Sequence, residues 1–266
     1  MAESTARDGS VKSVERCIDV LFVLSERPMT LTEVGSKSGL SKSTALRMLG
    51  TLAYGGMVIK DPLSGTYQLG PGCLKLGHGF MNGQGGLAAL AREPLHALWA
   101  QTRETVAIHV RMGRQRVCVD EIPSPHGVRY VTEVGSSAPI YIGSAGRALL
   151  AFMQPSELDT LVGGAPFIAP ATGAVIDEEE FYQELETVRR RGYATSEGER
   201  ILGATAISVP VSGPGGVIAS LSTLGPAGRW THRARLAVLP QMLETAAAMS
   251  EALMMSSTSR VGRGRA

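Results

Sequence analysis

The sequence has few aromatic residues, few cysteines and no long uninterrupted apolar run. Aromatic side chains make up 5% of the 266 residues, too few for the stacking platforms that bind single-stranded nucleic acid. Cys17, Cys73 and Cys118 are far apart, and none has the Cys-x-x-Cys or Cys/His spacing of a metal site. We expect buried thiols and no metal or cofactor. Glycine, serine or charge interrupts the apolar runs, so we expect a cytoplasmic protein without signal peptide or membrane span.

The segment 31–52, LTEVGSKSGLSKSTALRMLGTL, has the pattern of two short helices joined by a tight turn. Thr30 or Thr32 can cap the first helix, and Gly39 stands where a helix ends in a left-handed residue. Ser41 is a strong N-cap for the second helix. Its apolar residues recur at helical spacing: Ala45, Leu46, Leu49 and Leu52. A helix-turn-helix places the start of its second helix in the major groove of DNA, although a surface helical hairpin of another domain has the same local pattern.

The flanking residues favour DNA binding. Residues 14–25 form an amphipathic helix, and residues 55–69 give a strand, a turn rich in Asp, Pro, Ser and Gly, and a second strand. Three helices and a hairpin make a winged helix-turn-helix. Every lysine lies within the first 75 residues, and the net charge of +2 is sufficient if two copies bind DNA together.

A second region has a different periodicity. Residues 87–102 read as a linker helix, in which Pro94 causes a kink or begins a new segment. Its apolar face packs on another surface, for which a second copy of the helix is the candidate. Alternating residues then predict strands, and longer periods predict helices at 145–152, 156–161, 178–191 and 231–255. The strands are 105–111, 115–122, 128–134, 193–196, 204–211 and 217–223. The fold class is α+β, an antiparallel sheet with helices on its sides. We assign 11–79 to DNA binding, 80–102 to the linker, 103–255 to the sheet domain, and 1–10 and 256–266 to polar tails.

Six segments, in this order, resemble those of IclR-type transcriptional regulators. They are VERCIDVL, LTEVGSKSGLSKSTALRMLGTL, YQLGPGCLKLG, PIYIGSAGRALLA, RRRGYATSEGERILGATAISVPV and VIASLSTLGPAGRW. The resemblance covers roughly residues 11–255. It implies a winged helix-turn-helix joined to a GAF-like effector-binding domain, assembled as a homodimer or a dimer of dimers. It further implies double-stranded operator DNA as partner and small organic acids or aromatic metabolites as effectors, and it favours a repressor.

The start of the second helix of the helix-turn-helix carries the predicted DNA contacts. Arg47 is the candidate for bidentate reading of guanine, with a surface salt bridge as the alternative. Ser41 acts as a cap, a DNA contact, or both. The predicted contacts to bases and backbone are Ser41, Lys42, Ser43, Thr44, Arg47, Lys60 and Tyr67.

The resemblance places the effector on the sheet face, beside the start of the helix that follows the third strand. In this chain that start is 143–146, where free N–H groups and the helix dipole can bind a carboxylate or carbonyl oxygen, although a tight connection without ligand is the alternative. Where members that bind small keto acids have an acid and a thiol, this chain has Ser196 and Ala206, which indicates room for a bulkier, aromatic molecule. The predicted effector positions are Tyr130, Ala138, Gly143, Ser144, Ala145, Ser196, Ala204, Ala206, Ser222 and Leu224.

Two other functions compete with a ligand-responsive regulator. A metabolite-converting enzyme would need a catalytic motif, but Ser144 is not in G-x-S-x-G, and the glycine-rich stretches lack the spacing of phosphate loops. We read His109 as a structural strand residue, and Glu197 and Glu199 as surface or interface charges. A ligand-independent architectural DNA-binding protein would need a more basic chain than +2.

Overall fold

The computed structural model describes residues 11–83, 87–164 and 167–263, with side chains except at 81–83, 88–89 and 256–263. The chain divides into two compact units, residues 1–81 and 82–266. The first unit contains helices α1 (Lys12–Glu26), α2 (Leu31–Lys37) and α3 (Lys42–Tyr54) and strands β1 (Val58–Lys60) and β2 (Tyr67–Leu69), and helix α4 (Pro71–Gly83) follows. Three helices and an antiparallel hairpin form the winged helix-turn-helix that the sequence predicts.

Local signals fix the ends of α2 and α3. Thr30 caps α2 in a reciprocal box, because its hydroxyl accepts from the N–H of Glu33 and its own N–H donates to the Glu33 carboxylate at 2.8 Å. Gly39 has a φ of +63°, the left-handed conformation that the turn requires. Ser41 caps α3 by accepting from the N–H of Thr44 at 3.3 Å. These caps and the turn confirm the sequence predictions.

The core of the first unit lies where α1 and α2 meet α3 and the hairpin. Buried apolar residues from every element except α4 form it: Val20, Leu24, Met29, Val34, Leu49, Val58 and Tyr67. On α3, Ala45 and Leu49 are buried as the spacing predicts, whereas Leu46 is 50% exposed. The apolar stripe of α3 is therefore narrower than the sequence indicated.

The second unit is built on a six-stranded antiparallel sheet in the order β5-β4-β3-β10-β9-β8. Its strands are β3 (Thr105–Met112), β4 (Gln115–Ile122), β5 (Ser137–Pro139), β8 (Ala194–Glu197), β9 (Ala204–Gly213) and β10 (Gly216–Pro226). A separate hairpin pairs β6 (Phe167–Ile168) with β7 (Val175–Ile176). The helices are α5 (Leu87–Thr102), α6 (Gly143–Leu150), α7 (Pro155–Val162), α8 (Glu178–Arg191) and α9 (His232–Arg263). This is the α+β fold that the sequence predicts.

The two faces of this sheet differ in chemistry. Because side chains alternate along a strand, Val106 and Ile108 point to one face and Ala107 and His109 to the other. The first face is apolar and packs on α5 and α9. The second face is covered in part by α6 and carries several small and polar side chains. The second face therefore has room for a cavity, whereas the first face is filled by apolar packing.

The helix α5 differs from its predicted role. Leu87, Leu95 and Leu98 are buried in the core beneath the sheet, so this apolar face is not available to a second copy of the chain. The sheet itself presents an apolar face that must be covered, and α5 covers it. Pro94 lies inside α5 and Pro240 inside α9, each within one continuous helix, because tertiary packing of the apolar face offsets a lost backbone hydrogen bond.

The predicted strand at 128–134 does not form. The N–H groups of Thr132 and Glu133, which would enter a strand ladder, donate to the Glu121 carboxylate at 2.7 Å each. Glu133 has a φ of +64°, and the carbonyl of Tyr130 accepts from the Thr105 hydroxyl at 2.7 Å. Side-chain groups thus satisfy this backbone, and the edge strand of the sheet is β5 instead.

The C-terminal helix is longer than predicted. The helix α9 passes residue 255, where we expected a polar tail, because no glycine or proline stands between Pro240 and Gly262. The predicted tail segments 1–10 and 264–266 lie outside the described residues. In the described ranges, no helix has both the length and the apolar character needed to cross a membrane.

Candidate functional site

The N-terminal half of α3 presents two cations to solvent. Lys42 and Arg47 are exposed, and in the described part of the chain neither side chain has an ion pair or a hydrogen bond. The surface salt bridge that was the alternative for Arg47 is therefore absent among these residues. The first turn of α3 carries no acidic residue. Both cations are free to bind anionic groups or base edges outside the chain.

The hydroxyl groups at the start of α3 form a small cluster. The Ser41 Oγ lies 2.9 Å from the Thr44 Oγ1 and 3.1 Å from the Ser43 Oγ. Ser41 is a cap in this arrangement, and Ser43 remains exposed beside it. The contacts of these hydroxyls with DNA stay a prediction.

The hairpin positions Lys60 and Tyr67 differently from each other. Lys60 is exposed, and its ammonium lies 5.5 Å from the centre of the Tyr67 ring. Tyr67 is only 7% exposed and packs in the core. The strand β2 turns the ring inward, so little of this side chain is exposed, and a contact of Tyr67 with the DNA backbone stays a prediction. In the hairpin turn, the Asp61 carboxylate accepts from the N–H of Leu63 and the Ser64 hydroxyl, and these bonds lower the pKa of Asp61.

A cavity opens on the second face of the sheet, between the sheet and the start of α6. It holds about 560 Å³ of space, including its mouth. The predicted effector positions line it except Ala138. Ala138 is paired with Arg116 across β4 and β5, and the longer Arg116 side chain lies at the cavity instead. Further lining residues are His109, Arg116, Val131, Thr132, Gly198, Glu199, Arg200, Ile201 and Thr205.

Sequence reasoning missed the charged and basic residues of this lining. Along β4, Arg116 and Cys118 alternate with Val117 and Val119, so a strict period of two places Arg116 on an inward position. His109 occupies the equivalent face of β3. The signal that could have found them is a charged or basic residue at an inward position of a half-buried strand.

The N-terminus of α6 is partly occupied by a carboxylate of the chain itself. The N–H of Gly143, whose φ is +78°, donates to Glu199 Oε2 at 2.9 Å. Glu199 Oε1 accepts from Arg147 at 2.8 Å, and both side chains are largely buried. Glu199 is therefore an internal residue and not the surface charge that we expected. The N–H groups of Ser144 and Ala145 follow in the first turn, where an α-helix offers no partner within itself.

A chain of hydroxyl groups crosses the floor of the cavity. The Ser208 Oγ lies 2.8 Å from the Ser144 Oγ and 2.8 Å from the Ser222 Oγ. The Ser222 Oγ lies 3.5 Å from His109 Nδ1. Burial, together with the charges of Arg116 and Arg200, lowers the pKa of His109 well below its usual value, so the imidazole is neutral at pH 7. Within the described residues, the buried His109 Nε2 has no hydrogen-bond partner.

Arg116 is the buried cation of this site. It is 7% exposed, and its Nε donates to the Ile142 carbonyl at 3.2 Å. Burial, with the nearby charge of Arg200, lowers the pKa of Arg116 to about 10, so it still carries a positive charge at pH 7. No ion pair joins it to any residue that the structure describes.

The arrangement is suited to binding a small molecule. The contact of Ser222 with His109 is at the limit of a hydrogen bond, and no carboxylate among the described residues orients the other imidazole nitrogen, as a catalytic triad requires. Among the described residues, no cluster of three or more His, Cys, Asp or Glu side chains could hold a metal ion. The cavity offers a cation, hydroxyls, helix N–H groups and apolar walls.

Comparisons with known proteins match both units. The family model for the IclR helix-turn-helix domain matches residues 13–62, and that for the C-terminal part of the bacterial transcriptional regulator IclR matches residues 83–251. The repressor AllR of Salmonella typhimurium is 28% identical over 257 residues, which are 95% of this chain and 93% of AllR.

Solved structures agree. The crystal structure of an IclR transcriptional regulator from Alicyclobacillus acidocaldarius has a TM-score of 0.80 at 32% identity, covering 91% of this chain and 99% of that one. An IclR homologue from Microbacterium hydrocarbonoxydans, solved with 4-hydroxybenzoate, is similar in fold, with a TM-score of 0.77 at 22% identity over 91% of this chain and 98% of that one.

Proposed function

The chain belongs to the IclR family of bacterial transcriptional regulators, and from this we propose that it is a repressor whose operator binding is modulated by a small organic or aromatic acid. It is a DNA-binding regulator and not an enzyme. We assign operator binding to residues 11–79 and effector binding to residues 103–255 of a cytoplasmic homodimer, or of a dimer of dimers. That AllR is described as a repressor supports repression.

The cavity on the sheet face carries the effector part of this proposal. It is a concave site in which a few polar groups converge among small and apolar walls, the usual character of a small-molecule site. Ala204, Ala206 and Leu224 give it small or apolar walls, while Ser144 and Ser222 supply hydroxyls. An aromatic acid has this combination of a flat apolar body and a polar end. The homologue solved with 4-hydroxybenzoate supports an effector of that size.

The operator part rests on α3 and the hairpin. A helix-turn-helix dimer reads two half-sites one helical turn apart, so a palindromic operator is expected. We propose Arg47 for base reading, Lys42 and Lys60 for phosphate contacts, and Ser43 and Thr44 for either. Lys42 and Arg47 are exposed and have no ion pair with any residue that the structure describes, which supports these roles.

Effector and operator binding must be coupled for regulation. We infer that the dimer has two arrangements with different operator affinity and that the effector binds one of them more tightly. Without that difference in affinity, the effector would bind but regulate nothing.

A gel-shift titration with the promoter region of the protein's own gene tests the proposal, with a scrambled fragment of equal length as control. We expect a shift specific for the promoter, altered by at least one of a panel of organic and aromatic acids. A folded protein that gives no specific shift at low salt would contradict the operator assignment at this promoter. A specific shift that every acid leaves unchanged would contradict the effector assignment. Incubating the same acids with the protein checks that none is converted.

A further inference from the structure

The cavity contains a buried cation for which the described chain provides no anion. Arg116 is 7% exposed, yet its one recorded hydrogen bond runs to a carbonyl oxygen, and it has no ion pair among the described residues. Removing a charge from water without a partner is strongly unfavourable. The free protein therefore carries a desolvated charge that an anionic ligand would compensate.

Glu199 is the carboxylate whose charge acts on Arg116, but its oxygens are already hydrogen-bonded to other groups. Glu199 accepts from the Arg147 guanidinium and from the N–H of Gly143, so both of its oxygens have partners. Arg200 adds a second positive charge at the same cavity. Because Glu199 is paired with Arg147, the cavity lining retains the two positive charges of Arg116 and Arg200, while His109 is neutral. This excess of positive charge suits an anion.

The surroundings of Arg116 leave space for that anion. Gly143 lies beside the guanidinium, since a Cβ built on Gly143 would lie 3.6 Å from Arg116 Nη2. The absence of a side chain there keeps the path open between the guanidinium and the first turn of α6. A carboxylate seated on Arg116 would also be close to the positive end of that helix. A guanidinium can hold both oxygens of a carboxylate at once, which a lysine cannot do.

We propose that Arg116 binds the anionic group of the effector and makes the cavity select acids over their neutral amides. This inference rests on the proposed function, because it assigns one residue of the same effector site. The apolar body of the acid then lies along Ala206 and Leu224, and Arg116 fixes which end of the ligand faces α6.

The test compares acids with their amides on the full-length protein by thermal shift and calorimetry. The probe pairs are 4-hydroxybenzoate with 4-hydroxybenzamide, benzoate with benzamide, and phenylacetate with phenylacetamide. The variants are Arg116→Met, which removes the charge at similar length, and Arg116→Lys, which keeps the charge but loses the fork. Arg111→Gln is the matched control, because Arg111 pairs with Arg116 across β3 and β4 but is bound to Glu157 at the surface.

We expect at least one acid to raise the melting temperature of the wild type and of Arg111→Gln. By calorimetry, the corresponding amide should bind both proteins with at least tenfold lower affinity. Arg116→Met should bind the acid with at least tenfold lower affinity than the wild type. The affinity of Arg116→Lys should lie between those of Arg116→Met and the wild type. Without ligand, Arg116→Met should melt at or above the wild type, because the unpaired buried charge is gone. If Arg116→Met does not fold, the comparison of acid with amide on the wild type and the intermediate affinity of Arg116→Lys decide the question.

Three results would overturn the inference: an amide that binds as tightly as its acid, an acid that binds Arg116→Met as tightly as wild type, or no stabilisation of the wild type by any of the acids. The operator gel shift separates this failure from that of the proposed function. An acid that alters operator binding equally in Arg116→Met and wild type leaves the regulator intact and removes only the role of Arg116.

Discussion

Removing one buried hydroxyl, that of Ser208, should destabilise the second unit measurably. Ser208 has no exposed surface, and its Oγ joins the hydroxyls of Ser144 and Ser222 at 2.8 Å each. The change Ser208→Ala deletes both bonds. It leaves the Ser144 hydroxyl, in a residue 2% exposed, without its recorded partner.

The size of the effect follows from these bonds. A hydrogen bond contributes about 1 kcal/mol net, and a buried group left unpaired costs about 1–3 kcal/mol, so we expect a loss of about 2–3 kcal/mol in the free energy of unfolding. For a unit of this size each kcal/mol corresponds to about 2–4 °C in melting temperature, which gives a decrease of about 4–12 °C. Ser222 keeps its weaker contact with His109, so the upper limit is not exceeded.

Ser220 provides the matched control. It is a serine with no exposed surface on the neighbouring strand β10, but its Oγ has no hydrogen-bond partner among the described residues. The change Ser220→Ala removes an unsatisfied hydroxyl, and we expect a change within about 0.5 kcal/mol or a gain in stability.

Urea unfolding followed by tryptophan fluorescence measures both variants. Trp99 and Trp230, the two tryptophans of the chain, both belong to the second unit, so the signal reports that unit. Protein concentration is held constant, because a dimer unfolds with a concentration-dependent midpoint. Equal destabilisation by Ser208→Ala and Ser220→Ala, or none by Ser208→Ala, would refute the idea that the hydroxyl chain stabilises the cavity floor.

Three further predictions concern other parts of the molecule. Arg47→Ala should lose about 1–3 kcal/mol of binding free energy for the preferred base pair at one operator position, so that the four base pairs are bound more equally there. Binding to operators varied one base pair at a time measures this. Unchanged specificity would remove Arg47 from base reading. A backbone hydrogen bond at the start of α2 and a neighbouring guanidinium lower the pKa of Glu33 from 4.5 to about 2. The contribution of Glu33 to stability is therefore complete above pH 4.5 and is lost as the pH falls towards 2. Across that range, the unfolding free energy of Glu33→Gln, followed by circular dichroism, should fall less than that of the wild type. Parallel curves for the two proteins would contradict this. Gly146→Ala should unfold or strongly destabilise the second unit, since the new Cβ would lie 1.7 Å from the Ile140 carbonyl oxygen. Gly50→Ala is the control: with open space around it, the change should stabilise α3 by about 0.5–1 kcal/mol. Similar melting curves for both variants would contradict the close approach at Gly146.

The first unit was predictable because its signals are local. Thr30, Gly39 and Ser41 each act on residues no more than four positions away, through caps and a left-handed turn. Such interactions are visible in a short window of sequence. The burial of Tyr67 was not visible in this way, because it depends on which side of a short hairpin faces the core.

The second unit was predictable in outline and not in its cavity. Alternation gave five of the six strands of the sheet and missed β5. It also predicted a strand at 128–134, where the carboxylate of Glu121 takes the backbone N–H groups that a strand would need. The partner of Glu199 is Arg147, which is 52 residues away in sequence, so a local reading placed Glu199 at the surface. The clustering of charged groups depends on the tertiary structure, which brings distant segments together. The inward position of Arg116 on its strand was the one sequence signal for it.

The polar and apolar parts of the cavity come from different kinds of backbone. His109, Arg116 and Ser222 stand on central or near-central strands of the sheet, whereas Tyr130 and Ile201 stand on loops. Loops accept substitutions and insertions more readily than paired strands do. In gene duplicates of this chain, the size and shape of the accepted molecule can therefore diverge through loop changes, while the preference for charge is inherited with the sheet.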